Sequence, residues 1–259
     1  MPDTGLITYT EMEQRLREIT EVTSIPILVD GDTGYGNPIN LRRTVRGYAK
    51  AGAAGFMIED QISPKRCGHV RGKAVVSREE ACMRIQAAVD ARDSVDKNLV
   101  IIARTDAAAV LGIGEAIERA NCFERIGADV LFVEAPRGKE ELGRIGKEAK
   151  GWKMANMLEG GATPILRREV LDRMGYKIVA YPLTLISSAI KAMENALVAL
   201  KADNPNNVIP LLKSFEETKE VAGFPEYHKL ERKYGLARES SLEKLPKPAS
   251  VPEEAQTKR

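Results

Sequence analysis

Leu99-Val100-Ile101-Ile102-Ala103-Arg104-Thr105-Asp106 is a short, unbroken apolar run that ends abruptly in a cation, a hydroxyl and a carboxylate. A run this short, apolar at successive positions, suits a strand covered on both faces, which is the situation in a parallel sheet. Similar runs occur at 25–29, 55–58, 130–133, 153–155 and 178–181. Between them lie stretches with helical periodicity at 40–51, 77–90, 115–126, 140–149, 167–174 and 184–200, and another at 9–20 precedes the first run. Ser77 and Glu80 have the spacing of a capping box, and Gly127 and Gly175 stand where a helix C-cap is expected.

Strict alternation of strand and helix leaves an open doubly wound sheet or a closed barrel. The polar residues that end the runs favour the barrel. Asp30 and Asp32, Glu59 and Asp60, Arg104 and Asp106, Glu134 and Asn156 occur at nearly every run. A barrel gathers all its strand ends at one mouth, whereas a doubly wound sheet concentrates function at one crevice. No Gly-x-Gly-x-x-Gly follows a strand pattern, and the glycine-rich 31–36 segment carries aspartates that would repel a pyrophosphate. The 259 residues suit one (β/α)8 TIM-type barrel, which takes about 250. Only six runs are visible where a closed barrel needs about eight. The expected organisation is a barrel domain over 1–238, incomplete at its N-terminus, and a disordered tail over 239–259, rich in Pro, Glu, Lys and Ser.

The formal net charge of +2 gives no nucleic-acid footprint, and the Arg42-Arg43 and Arg167-Arg168 pairs sit on helix patterns as solvated faces. No apolar run approaches the roughly 18 residues of a membrane span, and the opening residues have no signal-peptide pattern. The three cysteines, Cys67, Cys82 and Cys122, are scattered without a CxxC, which argues against a disulfide framework and for a reducing, cytoplasmic setting. Cys82 and Cys122 lie in helix patterns and read as core.

The carboxylates Asp30, Asp32, Glu59 and Asp60 at neighbouring strand ends would repel one another. A hard divalent cation, Mg²⁺ or Mn²⁺, would relieve that repulsion, with some carboxylates acting through water. The longest gap between runs holds Pro64-Lys65-Arg66-Cys67-Gly68-His69-Val70-Arg71-Gly72-Lys73. Cationic neighbours stabilise a thiolate, so Cys67 is a candidate proton donor or acceptor, and Gly68 and Gly72 would let the loop act as a lid. Lys65 and His69 join Cys67 as catalytic candidates, His69 read as a loop-positioning group ahead of a metal ligand. Arg104 can take a carboxylate in bidentate fashion. Asn156, and Thr163 in the loop that follows, can hydrogen-bond a substrate carboxylate.

Asp30-Gly31-Asp32-Thr33-Gly34-Tyr35-Gly36-Asn37, Glu59-Asp60-Gln61, the Lys65-Arg66-Cys67-Gly68-His69 loop and Ala103-Arg104-Thr105-Asp106 together resemble the isocitrate lyase/phosphoenolpyruvate mutase superfamily. The order and spacing hold from Pro2 to about Tyr234, and the similarity is greatest to the 2,3-dimethylmalate lyase, petal death protein and plant carboxyvinyl-carboxyphosphonate phosphorylmutase group. The resemblance implies Asp30 as direct Mg²⁺ ligand, Asp32 and Glu59 on metal-bound waters, and Asp3 close by. Cys67 would be the general acid, while Gly68, Arg104, Glu134, Asn156 and Thr163 would contact substrate or order the site. It also implies a homotetramer in which the last barrel helix is exchanged between subunits, with 184–200 and the helices after it as candidates. Members of the family begin with a helix and a first strand ending in Ser-Gly, and this chain starts after that point.

The expected activity is cleavage of a small 2-hydroxy or 2-oxo dicarboxylate to a 2-keto acid such as pyruvate plus a carboxylate. Phosphonomutases of the family carry Asn where this chain has Cys67, and methylisocitrate lyases carry an arginine in the segment matching 181–188, where this chain has none. A phosphonomutase or an oxaloacetate-cleaving enzyme on the same site is the first alternative. An inactive homologue or fragment without the first strand is the second.

Overall fold

In the computed structural model, residues 2–68 and 72–235 are described. The expected tail at 239–259 and His69 lie outside them. The chain falls into two compact units with the boundary after Ser187. The first unit opens on α1 (Tyr9–Val22) and then alternates: β1 (Leu28–Asp30), α2 (Pro38–Lys50), β2 (Gly55–Glu59), α3 (Arg78–Asp93), β3 (Val100–Thr105), α4 (Ala107–Val110), α5 (Ile113–Ile126), β4 (Val130–Val133), α6 (Lys139–Glu148), β5 (Trp152–Asn156), α7 (Arg168–Arg173) and β6 (Tyr176–Ala180). Helix α8 (Thr184–Lys201) begins at its end.

The six strands are all parallel and hydrogen-bonded in chain order, β1 to β6. Each crossover therefore steps to the adjacent position, which is barrel winding. A doubly wound sheet reverses its order at a switch point. The barrel expectation holds as an arc of six strands among the described residues. Local signals fix the helices between them. Asn37 caps α2 with reciprocal bonds to Asn40, Ser77 accepts from the Glu80 amide at the start of α3, and Gly127 ends α5 in the left-handed region at φ 114°.

Alternation along the strands sorts side chains onto two faces. Val29, Phe56, Ile58, Ile101, Ala103, Leu131, Val133 and Ala155 join the helix residues Leu41, Val45, Tyr48, Ile85, Ala88 and Phe123 in the main core. Each large side chain fully buried there contributes about 1.5–3 kcal/mol. The intervening residues Met57, Ile102, Val130, Phe132, Met154 and Ile178 form a separate cluster on the concave face. That cluster is the floor of the mouth.

One expectation fails. Cys82 on α3 and Cys122 on α5 are joined as a disulfide, not left as unpaired core residues. The two helices pack side by side and bring the Cα atoms to 6.5 Å, inside disulfide range, although 40 residues separate them in the chain. Scattered spacing hid a pairing that only the crossover geometry creates.

The second unit carries most of α8, then α9 (Pro205–Val208), a 3-10 turn (Ile209–Leu211), α10 (Phe215–Val221) and α11 (Phe224–Lys233). α8 leaves Leu197 and Val198 exposed, and Phe215 and Val221 on α10 are also exposed. Among the described residues no helix is long and apolar enough to cross a membrane.

Candidate active site

The parity that builds the floor also builds the site. Asp30, Glu59, Arg104, Glu134 and Asn156 each share the concave-face parity, and the last four stand two residues beyond Met57, Ile102, Phe132 and Met154. Asp30 pairs in register with Met57, and Glu59 with Arg104. One polar side chain per strand thus reaches the mouth above the apolar floor. A pocket of about 200 Å³ opens there, lined by Asp3, Asp30, Cys67, Gly68, Arg104, Glu134 and Asn156 over Met57, Phe132 and Met154, with Pro182 and Leu183 on one wall.

At the β1 corner the chain turns sharply after Asp30. Gly31 is required because a Cβ there would come within 2.6 Å of the Met57 carbonyl. Asp32 takes φ 46° and Tyr35 φ 59°, left-handed values that cost a residue with a side chain of the order of 1 kcal/mol or more. The turn is held by the Asp32 amide donating to Asp30 Oδ1 at 2.8 Å and by the Glu59 amide donating to the Asp32 carbonyl at 3.0 Å. The Asp32 carboxyl is pushed above its ordinary range by burial and by the charge of Asp30, and Lys65 opposes both. Lys65 Nζ lies 2.8 Å from Asp32 Oδ1 and also pairs with Asp3. Burial lowers the Lys65 pKa, but its bonds to Asp3 and Asp32 outweigh that and hold the ammonium above its usual range.

At the β3 corner Arg104 is buried among three carboxylates. Its Nε lies 2.9 Å from Asp106 Oδ2 and 3.2 Å from Glu59 Oε2, its Nη2 donates to Asp106 Oδ1 at 3.2 Å, and Nη1 lies 3.8 Å from Glu134. Its guanidinium also lies over the Phe132 ring, 5.4 Å from the centroid. Burial would raise the Asp106 carboxyl, but Arg104 and Lys73 outweigh it and hold Asp106 below the ordinary range. Glu59 behaves oppositely: burial outweighs Arg104 and lifts it, and neither of its oxygens has a hydrogen-bond partner.

Most of the residues expected from sequence meet at this mouth: Asp3, Asp30 and Lys65 with Asp32, then Glu59, Arg104, Glu134, Asn156, Cys67 and Gly68. Gly68 is pressed onto the far corner, where a Cβ would come within 2.6 Å of Arg104 Nη2 and of Glu134 Cγ. Thr163 is buried with an unpartnered hydroxyl but does not line the pocket. Asp60 leaves the carboxylate set. Its parity is opposite to Glu59, so it points to the helix side and binds Thr105, the Asp106 amide and Arg119. Lys73 and Asp106 are the members that the sequence reading passes over as site residues. Their signal was present, an acid two residues after Arg104 on the same strand end, but its reach to the loop needs the folded geometry.

The arrangement fits a hard divalent cation. Asp3 and Asp32 pair with one lysine beside Asp30, and Glu59 offers two carboxylate oxygens without a hydrogen bond, an oxygen-only donor set in which acids outnumber cations. Among the described residues no three acidic, Cys or His side chains already converge as a closed cage. That is compatible with an ion that keeps most of its waters and takes one or two carboxylates.

A family model described as Phosphoenolpyruvate phosphomutase matches residues 1–201. The 2,3-dimethylmalate lyase of Eubacterium barkeri is 43% identical over 238 residues, spanning 92% of this chain and 82% of the relative. The solved structure of oxaloacetate acetylhydrolase with the inhibitor 3,3-difluorooxalacetate superposes with a TM-score of 0.82 at 33% identity, over 91% of this chain and 80% of the other. Phosphonopyruvate hydrolase, solved with oxalate and Mg²⁺, superposes with a TM-score of 0.79 at 28% identity, over 90% and 81% of the two chains.

Proposed function

This chain belongs to the phosphoenolpyruvate mutase/isocitrate lyase superfamily, and from that premise we propose that it is a carbon–carbon lyase for a small 2-hydroxy or 2-oxo dicarboxylate. A 2-hydroxy substrate would give a 2-keto acid such as pyruvate and a second carboxylate, whereas a 2-oxo substrate such as oxaloacetate would take up water and give two carboxylates, oxalate and acetate. The observation that carries the proposal is the free thiol of Cys67 lining the same pocket as Arg104 and the strand-end carboxylates.

Asp30 would hold Mg²⁺ directly, with Asp32, Glu59 and Asp3 engaging its waters. The ion, when bound, would supply positive charge that acidifies the substrate's C2 hydroxyl, whose proton would pass to Glu134, a carboxylate lining the same pocket, as C2 becomes the keto carbon. Everything else falls to the chain. Arg104, fixed by Asp106, presents its guanidinium to the carboxylate of the leaving fragment, where negative charge grows as the C2–C3 bond breaks. Asn156 Oδ1, without a protein partner, is placed to accept from a substrate hydroxyl. Cys67 delivers its Sγ proton to C3, which keeps the electron pair of the broken bond. The apolar floor of Met57, Phe132 and Met154 leaves no competing proton donor below the reacting carbons.

Oxaloacetate is a second substrate within the same class, favoured by the likeness to oxaloacetate acetylhydrolase. The exposed apolar side chains of the second unit, Leu197, Val198 and Phe215 among them, support reading it as the part exchanged with a partner subunit, within one barrel domain over 1–238.

The test is Cys67→Ser, assayed for pyruvate release from 2,3-dimethylmalate beside calorimetric Mg²⁺ binding. Turnover is expected to fall by about 10²–10⁴-fold with Mg²⁺ affinity kept. Turnover kept in the serine variant would remove Cys67 from the chemistry.

A further inference from the structure

Cys67 lies between two residues whose backbones are gripped by side chains from elsewhere in the chain. On one side the Gln61 amide takes Arg66 at two points. The Arg66 amide donates to Gln61 Oε1 at 2.9 Å, and Gln61 Nε2 donates to the Arg66 carbonyl at 2.8 Å. Gln61 is itself immobilised: it is buried, Arg84 Nη1 donates to its carbonyl at 2.9 Å, and its backbone pairs antiparallel with Val75. On the other side Lys73 Nζ donates to the Gly68 carbonyl and to Asp106 Oδ1, the latter at 3.1 Å. Asp106 in turn fixes Arg104 by two hydrogen bonds.

We propose that Gln61 and Lys73 are positioning residues that bracket Cys67 and set the approach of its thiol to the substrate carbon. The proposal rests on the reading of Cys67 as proton donor. Proton delivery to carbon demands that donor and acceptor meet at roughly 3–3.5 Å, and misplacement of about 1 Å costs as much as 10²-fold. A cysteine on a loop has no such precision by itself. With the peptides on both sides held, the side-chain torsion is the main remaining freedom. The Lys73 ammonium also ties this placement to Arg104: Asp106 accepts from both, so the thiol and the group that binds the leaving carboxylate share one anchor. Neither Gln61 nor Lys73 lines the pocket, so each acts through another residue.

The two readings separate experimentally because Cys82 and Cys122 are joined, which leaves Cys67 as the free thiol. Its alkylation by iodoacetamide without reductant reports its placement, and pyruvate release from 2,3-dimethylmalate reports turnover. In Lys73→Met the alkylation rate should rise about tenfold and kcat fall about tenfold, with KM moving less than about threefold. Lys73→Arg, which keeps charge and donors, should return both to within about threefold of the parent. Gln61→Ala should repeat the Lys73→Met pattern from the other side of the cysteine, and it carries the test if Lys73→Met does not fold. If Cys67 is not the donor, Cys67→Ser keeps turnover and Lys73→Met raises alkylation alone; the bracket then stands without its catalytic use. Folded Lys73→Met and Gln61→Ala proteins that alkylate at the parent rate overturn the proposal.

Discussion

Around the end of β1, Asp3 and Asp32 pair with one lysine beside Asp30; around the end of β3, three carboxylates surround an arginine, and one of them, Asp106, also takes a second lysine. The corners differ in more than charge. The first is built from a loop with left-handed residues, and its Asp3 side chain is 58% exposed. The second is set on strand ends, with Asp106 and Glu134 almost wholly buried and Arg104 held bidentately. An excess of negative charge in a partly open turn suits an ion that enters from water with its hydration shell. Near balance in a buried cluster, with Arg104 bound twice to Asp106, suits a group that must not move during the reaction. The floor beneath both is the same apolar surface, so the specialisation lies in the last residue or two of each strand.

Removing charge should therefore act differently at the two corners. The larger effect is expected at the first. Asp30→Asn should weaken Mg²⁺ binding by about 100-fold or more in a calorimetric titration, beyond the 10–100-fold that loss of a supporting partner costs. The metal-free protein should lose no stability, because Asp30 repels Asp32. Unchanged Mg²⁺ affinity would remove Asp30 from the metal site.

A smaller effect is expected at the second corner, and it depends on pH. Burial pushes the Glu59 carboxyl from its ordinary value near 4.5 up to about 8. A group whose folded pKa is raised contributes stability that is complete below its unfolded value and is lost as pH rises through the folded one. The metal-free protein should then lose stability as pH climbs from about 4.5 through that lifted value. Glu59→Gln is neutral throughout, so in EDTA it should flatten this slope and raise Tm by a few degrees at alkaline pH while changing little near pH 5. A variant that melts lower than the parent at alkaline pH would mean that Glu59 is held as a stabilising anion by Arg104, which would make the second corner a fixed ion-pair cluster in the simplest sense.

Much of this was legible before folding. The runs ending at Asp30, Glu59, Arg104, Glu134 and Asn156 showed both the parallel sheet and its functional end, because a strand buried on both faces can place polar groups only where it stops. The first strand is a useful exception. It forms over Leu28–Asp30, not over 25–29, since Ile25 stays exposed and pairing begins only where Leu28 meets Gly55. Parity decided what sequence could not. Glu59 and Asp60 are adjacent and chemically alike, yet one faces the pocket cluster and the other the Arg119 of α5. Contacts between distant segments were hidden for the same reason. The Cys82–Cys122 link and the Lys73–Asp106 bond depend on which helices and loops the crossovers bring side by side.

We assign to the mouth of this arc the cleavage of a carbon–carbon bond in a small dicarboxylate with a metal's help. The most direct measurement is pyruvate release from 2,3-dimethylmalate and 2-methylmalate-type acids, and oxalate release from oxaloacetate, with Mg²⁺ or with EDTA. Release from at least one of them is expected with Mg²⁺ present, abolished by EDTA and restored by added metal. A folded protein that binds Mg²⁺ and releases neither pyruvate nor oxalate from any of them would overturn this assignment.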